Sequence, residues 1–185
     1  MQKSPAPDYL LAIMPPKPIS DIVIGKKDFL FDNIGPFGSL NSLPHFTVLG
    51  FSEERNLEFI RERTRHFCAN NAIADEIRID SYKTFSNHTF YLAPSQQSRK
   101  YIRNLVFGLY KCLSLTLDNY TPHMTITKDL DEEKMRVTKQ IFSNDKIDLA
   151  FSCNSFLLRA FDKKVQHYSQ TIEEFRFDQS QGRLF

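Results

Sequence analysis

Pro44-His45-Phe46-Thr47-Val48-Leu49-Gly50 and Pro122-His123-Met124-Thr125-Ile126-Thr127 are two copies of one pattern, and their reading decides the fold. Each is a short apolar run opened by a proline, which reads as a strand. Along a strand, residues i and i+2 point to the same side. His45 and Thr47 therefore project together while Phe46 enters the opposite, apolar side. His123 and Thr125 do the same around Met124. Each pair offers an imidazole able to move a proton near neutral pH and a hydroxyl able to hydrogen-bond an oxyanion. One His-x-Thr is weak evidence, because short motifs arise by chance. Two of them, each behind a proline and each ahead of an acidic helix start, form a much stronger signal. The plainer alternative is a pair of half-buried strand histidines satisfied by backbone.

The surroundings of the motifs repeat as well. At an offset of 78 positions Pro44 matches Pro122, Thr47 matches Thr125, Glu53 matches Asp131 and Glu54 matches Glu132. A helix over 19–34 and a loop over 35–43 precede the first motif; a helix over 98–113 precedes the second. After the first motif, Ser52 is expected to cap a helix reaching about Asn70, with Glu53 and Glu54 in its first turn and Leu57, Ile60 and Phe67 as its apolar stripe. After the second, a helix over 131–142 is expected to start at Asp129 and Glu132. A hairpin is expected from 76–85 and 89–93 around Ser86-Asn87-His88, and strands over 146–153, 155–161 and 165–177. Tyr9–Met14 reads as a first strand ended by Pro15, Pro16 and Pro18. Residues 1–7 and 178–185 are expected to fray. Such self-similarity indicates duplication, with two related lobes about a pseudo-twofold axis bringing both motifs to one cleft. The expected organisation is a single bilobal domain over 1–185. The first-motif lobe covers roughly 15–95 and the second roughly 96–177, with strand 9–14 free to cross to the latter.

Composition narrows the functions. At 41% hydrophobic the chain can bury a core, supplied largely by 17 Phe and 7 Tyr in the absence of Trp. A net charge of +2 and a pI near 8.4 are too mild for long-range steering onto duplex nucleic acid, but leave room for a short anionic ligand in a locally basic cleft. Cys68, Cys112 and Cys153 are widely spaced and form no C-x-x-C pair, so they read as buried free thiols in a reducing cytoplasm. The apolar run near the N-terminus is too short for a signal peptide, and no run approaches the roughly 20 apolar residues of a membrane helix. No His-x-His, H-E-x-x-H or cysteine cluster offers a metal site, and no nucleophile elbow is present. Gly35-Pro36-Phe37-Gly38 has the wrong spacing for a phosphate-binding loop.

Other residues are candidates for the cleft wall. Tyr9, Phe37, Tyr82 and Phe85 could stack a base, the competing role for each being core packing. Lys128 and Arg159 could contact phosphate, the competing role being a solvated charge. His167-Tyr168-Ser169 has the His-x-hydroxyl form, but it lacks the preceding proline, has no repeat partner and sits among polar residues. It is expected to be an exposed hairpin strand. His66, on a helix face, and His88, at a turn, are expected to be structural.

Paired His-x-Thr strands in a duplicated chain of this size resemble the two-histidine (2H) phosphoesterase superfamily, in particular the bacterial proteins named 2',5'-RNA ligases or RNA 2',3'-cyclic phosphodiesterases. The resemblance runs from Tyr9 to about Phe161. It implies an α+β fold in which two antiparallel-rich sheets flank a central cleft with helices outside. It implies an enzyme acting on an RNA end or a small nucleotide phosphodiester, commonly a 2',3'-cyclic phosphate; no cofactor or metal is expected from the residues, the cytoplasm is the expected location, and the oligomeric state is left open with a monomer preferred. His45 would then be the general acid and His123 the general base, with the roles exchanged in 2',5'-ligation, and Thr47 and Thr125 would hold non-bridging oxygens. The family's second motif often continues to an arginine where this chain has Lys128, so the bidentate phosphate contact of a guanidinium is missing there. Cyclic dinucleotides, linear 2',5'-linked oligonucleotides and nucleotide-sugar cyclic phosphates stay open as substrates, as does a non-catalytic nucleotide- or RNA-binding module using the same cleft.

Overall fold

The computed structural model describes residues 6–52, 56–86, 88–165 and 167–178. In chain order they form β1 (Tyr9–Ile13), α1 (Lys17–Ile34), β2 (Phe46–Phe51), α2 (Leu57–Asn70), β3 (Asp75–Phe85), β4 (Thr89–Pro94), α3 (Gln96–Cys112), β5 (Met124–Thr127), α4 (Glu132–Ile141), β6 (Leu149–Cys153), β7 (Ser155–Asp162) and β8 (His167–Arg176). The fold is α+β, a curled antiparallel sheet of eight strands with four helices.

Local chemistry explains the helix ends. Pro18 stands in the first turn of α1, where a missing N–H costs nothing, and Gly35 ends the helix at φ 70, donating its N–H to the Phe31 carbonyl. Ser95 caps α3 by accepting from Ser98 N, and Asp131 caps α4 by accepting from Lys134 N at 2.7 Å. The cap of α4 is thus Asp131 and not Asp129, whose φ of 61 places it in the turn before the helix. α2 begins at Leu57, later than the start expected at Ser52. The roles expected of Glu53 and Glu54, of Asn87 at the hairpin tip, and of most of the fraying termini fall outside the described residues.

The sheet order β6-β3-β4-β5-β2-β1-β7-β8 contains the duplication in an interleaved form. The two expected sheets are two four-stranded halves of one sheet, joined where the two motif strands meet. That seam is one residue pair, Phe46 opposite Met124. β3 and β4 lie beside β5, with the second motif, whereas β7 and β8 lie beside β1 and β2, with the first. The lobe boundary expected near 95 therefore does not follow the sheet. The cause is edge satisfaction: the long β3–β4 hairpin gives β4 to β5 and β3 to β6, while β1 stays next to β2 and takes β7 on its other edge.

One face of the sheet carries the core. Phe46, Met124, Leu11, Ile77, Ile79, Leu92, Phe156 and Leu158 are fully buried there together with Val23 and Leu30 of α1 and Ile102, Val106 and Leu109 of α3. The opposite face is the cleft. Cys68 and Cys153 are buried, with burial pushing both thiols up to about 12, and Cys112 is half-buried; all three are free. Among the described residues, no helix is long and apolar enough to cross a membrane.

Candidate active site

β2 and β5 stand side by side at the centre of the sheet, each immediately preceded by its histidine. Phe46 and Met124 point into the core at 0% exposure, so strand alternation sends Thr47 and Thr125 to the cleft. The pairing is antiparallel. Continuing its register by one residue each way sets His45 across from Thr125 and Thr47 across from His123. All four side chains line one cavity of about 710 Å³.

Both imidazoles are turned by the same local bond. His45 Nδ1 lies 2.7 Å from the Leu43 carbonyl, and His123 Nδ1 lies 2.9 Å from the Thr121 carbonyl, each two residues upstream. With Nδ1–H donating to a carbonyl, Nε2 is the nitrogen left for chemistry. The environments then differ. Phe85 meets His123 edge-on with ring centroids 4.9 Å apart, and Tyr91 does so at 5.5 Å. His45 faces cations instead. Burial holds its imidazole below the ordinary value; Lys27, Arg159 and a proton on His123 act in the same direction, against the Leu43 bond, which favours the protonated ring.

The loop between α1 and β2 ties the two motifs together. Gly38 forms an isolated bridge with Lys128, their N–H and carbonyl groups exchanging two bonds of 3.1 Å. A Cβ on Gly38 would lie 2.8 Å from the Lys128 carbonyl and 2.7 Å from an Asp129 carboxylate oxygen, so only glycine allows this approach. Ser39 Oγ donates to the Ile126 carbonyl at 3.0 Å. Lys27, 1% exposed on α1, donates to the carbonyls of Ser39 at 2.8 Å and Ser42 at 2.6 Å, and its burial lowers the ammonium to about 8. From the other side, Tyr120 Oη donates to the Thr47 carbonyl at 2.8 Å, linking the approach to His123 with the strand of Thr47.

The expected wall residues divide. Phe85 and Lys128 line the cavity. Arg159 is 6% exposed, shares a niche of about 10 Å³ with His45, donates Nη2 to the Ser169 carbonyl and keeps an unpartnered Nε. Tyr9 stacks on Phe51 at 5.1 Å, because Leu10 and not Tyr9 points to the cleft from β1. Tyr82 forms a three-ring cluster with Phe90 and Phe142 on the core side and donates to Asp145 at 2.5 Å. Phe37 packs on the core. His66 and His88 are exposed and do not line this cleft; His66 lines a separate hollow between α2 and α3, and His88 Nδ1 lies 3.1 Å from the Leu130 carbonyl.

His167 departs from its expected place: it lines the cleft together with Phe161 and Tyr168, because β8 follows β7 around the curled edge of the sheet. Ser39, Ser42, Leu43 and Thr89 are further lining residues that the motifs do not reveal. Among the described residues, no group of three or more His, Cys, Asp or Glu side chains could hold a metal ion. A hollow of similar size, about 760 Å³, lies between α2 and α3 and contains neither motif.

A family model described as the 2'-5' RNA ligase superfamily matches residues 35–164. No curated protein matches the sequence. Among solved structures, E. coli LigT complexed with NADP+ aligns with a TM-score of 0.69 at 14% identity, over 94% of this chain and 99% of that one. The protein TT0787 of Thermus thermophilus aligns with a TM-score of 0.64 at 14% identity, over 91% and 97%. Usb1 of Kluyveromyces marxianus aligns with a TM-score of 0.53 at 13% identity, again over 91% and 97%. At such identities the structural likenesses speak for the fold alone.

Proposed function

The chain belongs to the 2'-5' RNA ligase superfamily, and from that premise we propose that it is a metal-independent phosphodiesterase opening the 2',3'-cyclic phosphate of an RNA end or a small nucleotide, with His45 and His123 moving the protons. The observation that carries this reading is the convergence of His45, Thr47, His123 and Thr125 on one cavity, with both rings turned by the same upstream carbonyl bond. Structures of E. coli LigT complexed with 3'-AMP, ATP and NADP+ support a nucleotide as the ligand class.

In this mechanism a phosphodiester sits between the imidazoles. A water attacks phosphorus in line with the departing ribose oxygen. One imidazole takes the water's proton, and the other gives its proton to the leaving oxygen. Thr47 and Thr125 hydroxyls donate to the non-bridging oxygens, where charge builds. Lys128 adds a cation at the rim, a point charge in place of a guanidinium fork.

The electrostatics favour a definite division of labour. Burial, with the charges of Lys27 and Arg159 beside it, lowers the His45 imidazole from its ordinary value, which favours its neutral, proton-accepting form. His45 is then the ready base and His123 the ready acid for hydrolysis, the reverse of the roles that the resemblance implies.

The function is tested by turnover of a 2',3'-cyclic nucleotide in the presence of EDTA. The expected product is the 2'-phosphate alone, because two fixed imidazoles enforce one in-line geometry. Absence of turnover, recovery of activity only with an added divalent metal, or comparable yields of both phosphate isomers would each sink the proposal.

The roles are tested with a leaving group that needs no proton, as in a 3'-deoxynucleoside 2'-(4-nitrophenyl phosphate). His123→Ala is expected to lose about 10²–10⁴-fold on the cyclic phosphate and under about tenfold on the aryl ester, while His45→Ala loses similarly on both. The opposite pattern would make His45 the acid.

A further inference from the structure

His167 is the one residue of His-x-hydroxyl form that the proposed chemistry leaves unused. Its setting matches that of the two motif histidines. Its Nδ1 lies 2.9 Å from the carbonyl of Val165, two residues upstream, as those of His45 and His123 lie from Leu43 and Thr121. The same bond therefore turns Nε2 of a third imidazole outward, and the ring lines the same cavity. It reaches the cleft from a different element, the start of β8, paired there with Asp162 at the end of β7.

The wall around His167 is built to stay in place. Phe161 and Tyr168 pack edge to face at 5.2 Å, and both line the cavity. Tyr168 Oη is committed to the Pro7 carbonyl at 2.9 Å, and Phe161 N donates to the Asp8 carbonyl at 2.8 Å. Ser169 Oγ reaches the Asp162 carboxylate at 3.3 Å. The tyrosine thus offers its ring and not its hydroxyl to the cleft. An imidazole with one free nitrogen beside two fixed aromatic rings suits a phosphate with its attached nucleoside. The scissile group already has His45, Thr47, His123 and Thr125, and a cavity of about 710 Å³ extends well beyond them.

We propose that His167, Phe161 and Tyr168 form a second subsite, in which His167 binds the phosphate flanking the scissile one. The substrate class is then a nucleotide carrying a second phosphate, such as an oligonucleotide end, in preference to a lone nucleoside cyclic phosphate. This rests on the proposed function for the identity of the scissile group, but binding can be read without turnover.

The test is calorimetric titration with a nucleoside 2'-phosphate and with the corresponding nucleoside 2',5'-bisphosphate. In the wild-type protein the second phosphate is expected to tighten binding about tenfold or more, the scale of one charge-assisted hydrogen bond. His167→Ala is expected to abolish that advantage, to leave affinity for the monophosphate within about twofold, and to leave any turnover of a nucleoside 2',3'-cyclic phosphate within about twofold. His167→Lys, which supplies a cation at the same place, is expected to recover a preference for the bisphosphate. Equal affinity for the two ligands in the wild type, or a preference that survives His167→Ala, would overturn the proposal. So would an equal loss for both ligands in His167→Ala, which would place His167 at the scissile phosphate. If the wild-type protein turns over no cyclic phosphate but shows the His167-dependent preference, the proposed function fails and the subsite stands.

Discussion

Replacing either His45 or His123 by alanine is expected to lower kcat/KM on a 2',3'-cyclic nucleotide by about 10²–10⁴-fold, the usual contribution of a positioned general acid or base. Each imidazole has one nitrogen committed to an upstream carbonyl, and both line the cavity that holds the two threonines. Removing one leaves a proton transfer to bulk water, which is neither held nor aligned. The double variant should lose less than the product of the single losses, since the second proton transfer has little left to assist once the first is gone. Neither ring belongs to the buried core, so the variants should keep wild-type circular dichroism and nearly wild-type melting. Activity within tenfold of wild type in either single variant, measured by initial rates on folded protein, removes the acid–base assignment.

The largest expected effect on stability lies directly behind the site. Phe46→Ala should destabilise the fold by about 3–5 kcal/mol, the range for a buried phenylalanine whose ring leaves a cavity. Phe46 is fully buried and forms, with Met124, the residue pair that joins the halves of the sheet. Direct pairing of β2 with β5 is a single residue pair, so the packing of Phe46 on Met124 carries much of that seam, beside the Gly38–Lys128 bridge and the Tyr120–Thr47 bond. A loss of this size is a large share of the ~5–15 kcal/mol typical of a domain. Urea unfolding is the measurement, with Phe29→Ala as comparison; Phe29 is 55% exposed and should change stability by no more than about 0.5 kcal/mol. A Phe46→Ala loss below about 1 kcal/mol would show that the seam is held by something other than this ring.

The motifs and helices are legible in the sequence because they are local patterns: a period of two puts His and Thr on one face, and apolar stripes mark the helices. The choice among aromatic candidates is not legible, because it turns on bulges. Ile77 and Ile79 point into the core, and an uninterrupted β3 would send Phe85 there too. The register shift between Ile79 and Ser81 reverses the alternation, so Tyr82 and its partner Leu92 take the core side while Phe85 and its partner Thr89 take the cleft. His167 escapes a sequence reading for a related reason. Its polar neighbours describe a strand at a sheet edge, and only the pairing of β7 with β1 and the curl of the sheet bring that edge over the cleft. Lobe membership of the hairpin over 75–94 depends in the same way on partners distant in sequence.

The interleaved order of the strands bears on how the chain matures as it is synthesised. The outer edge of β1 is closed by β7, which begins at Ser155, so the half carrying the first motif waits for residues made more than a hundred positions later. The half carrying the second motif needs β3 and β4, made well before β5, and can close as soon as β6 emerges. β6 ends at Cys153 and β7 begins at Ser155, so the outer strands of both halves arrive almost together, after most of the chain has been made. Such long-range closure is slow compared with hairpin formation, which leaves β1 and β2 with open edges for the longest interval of any motif-bearing segment.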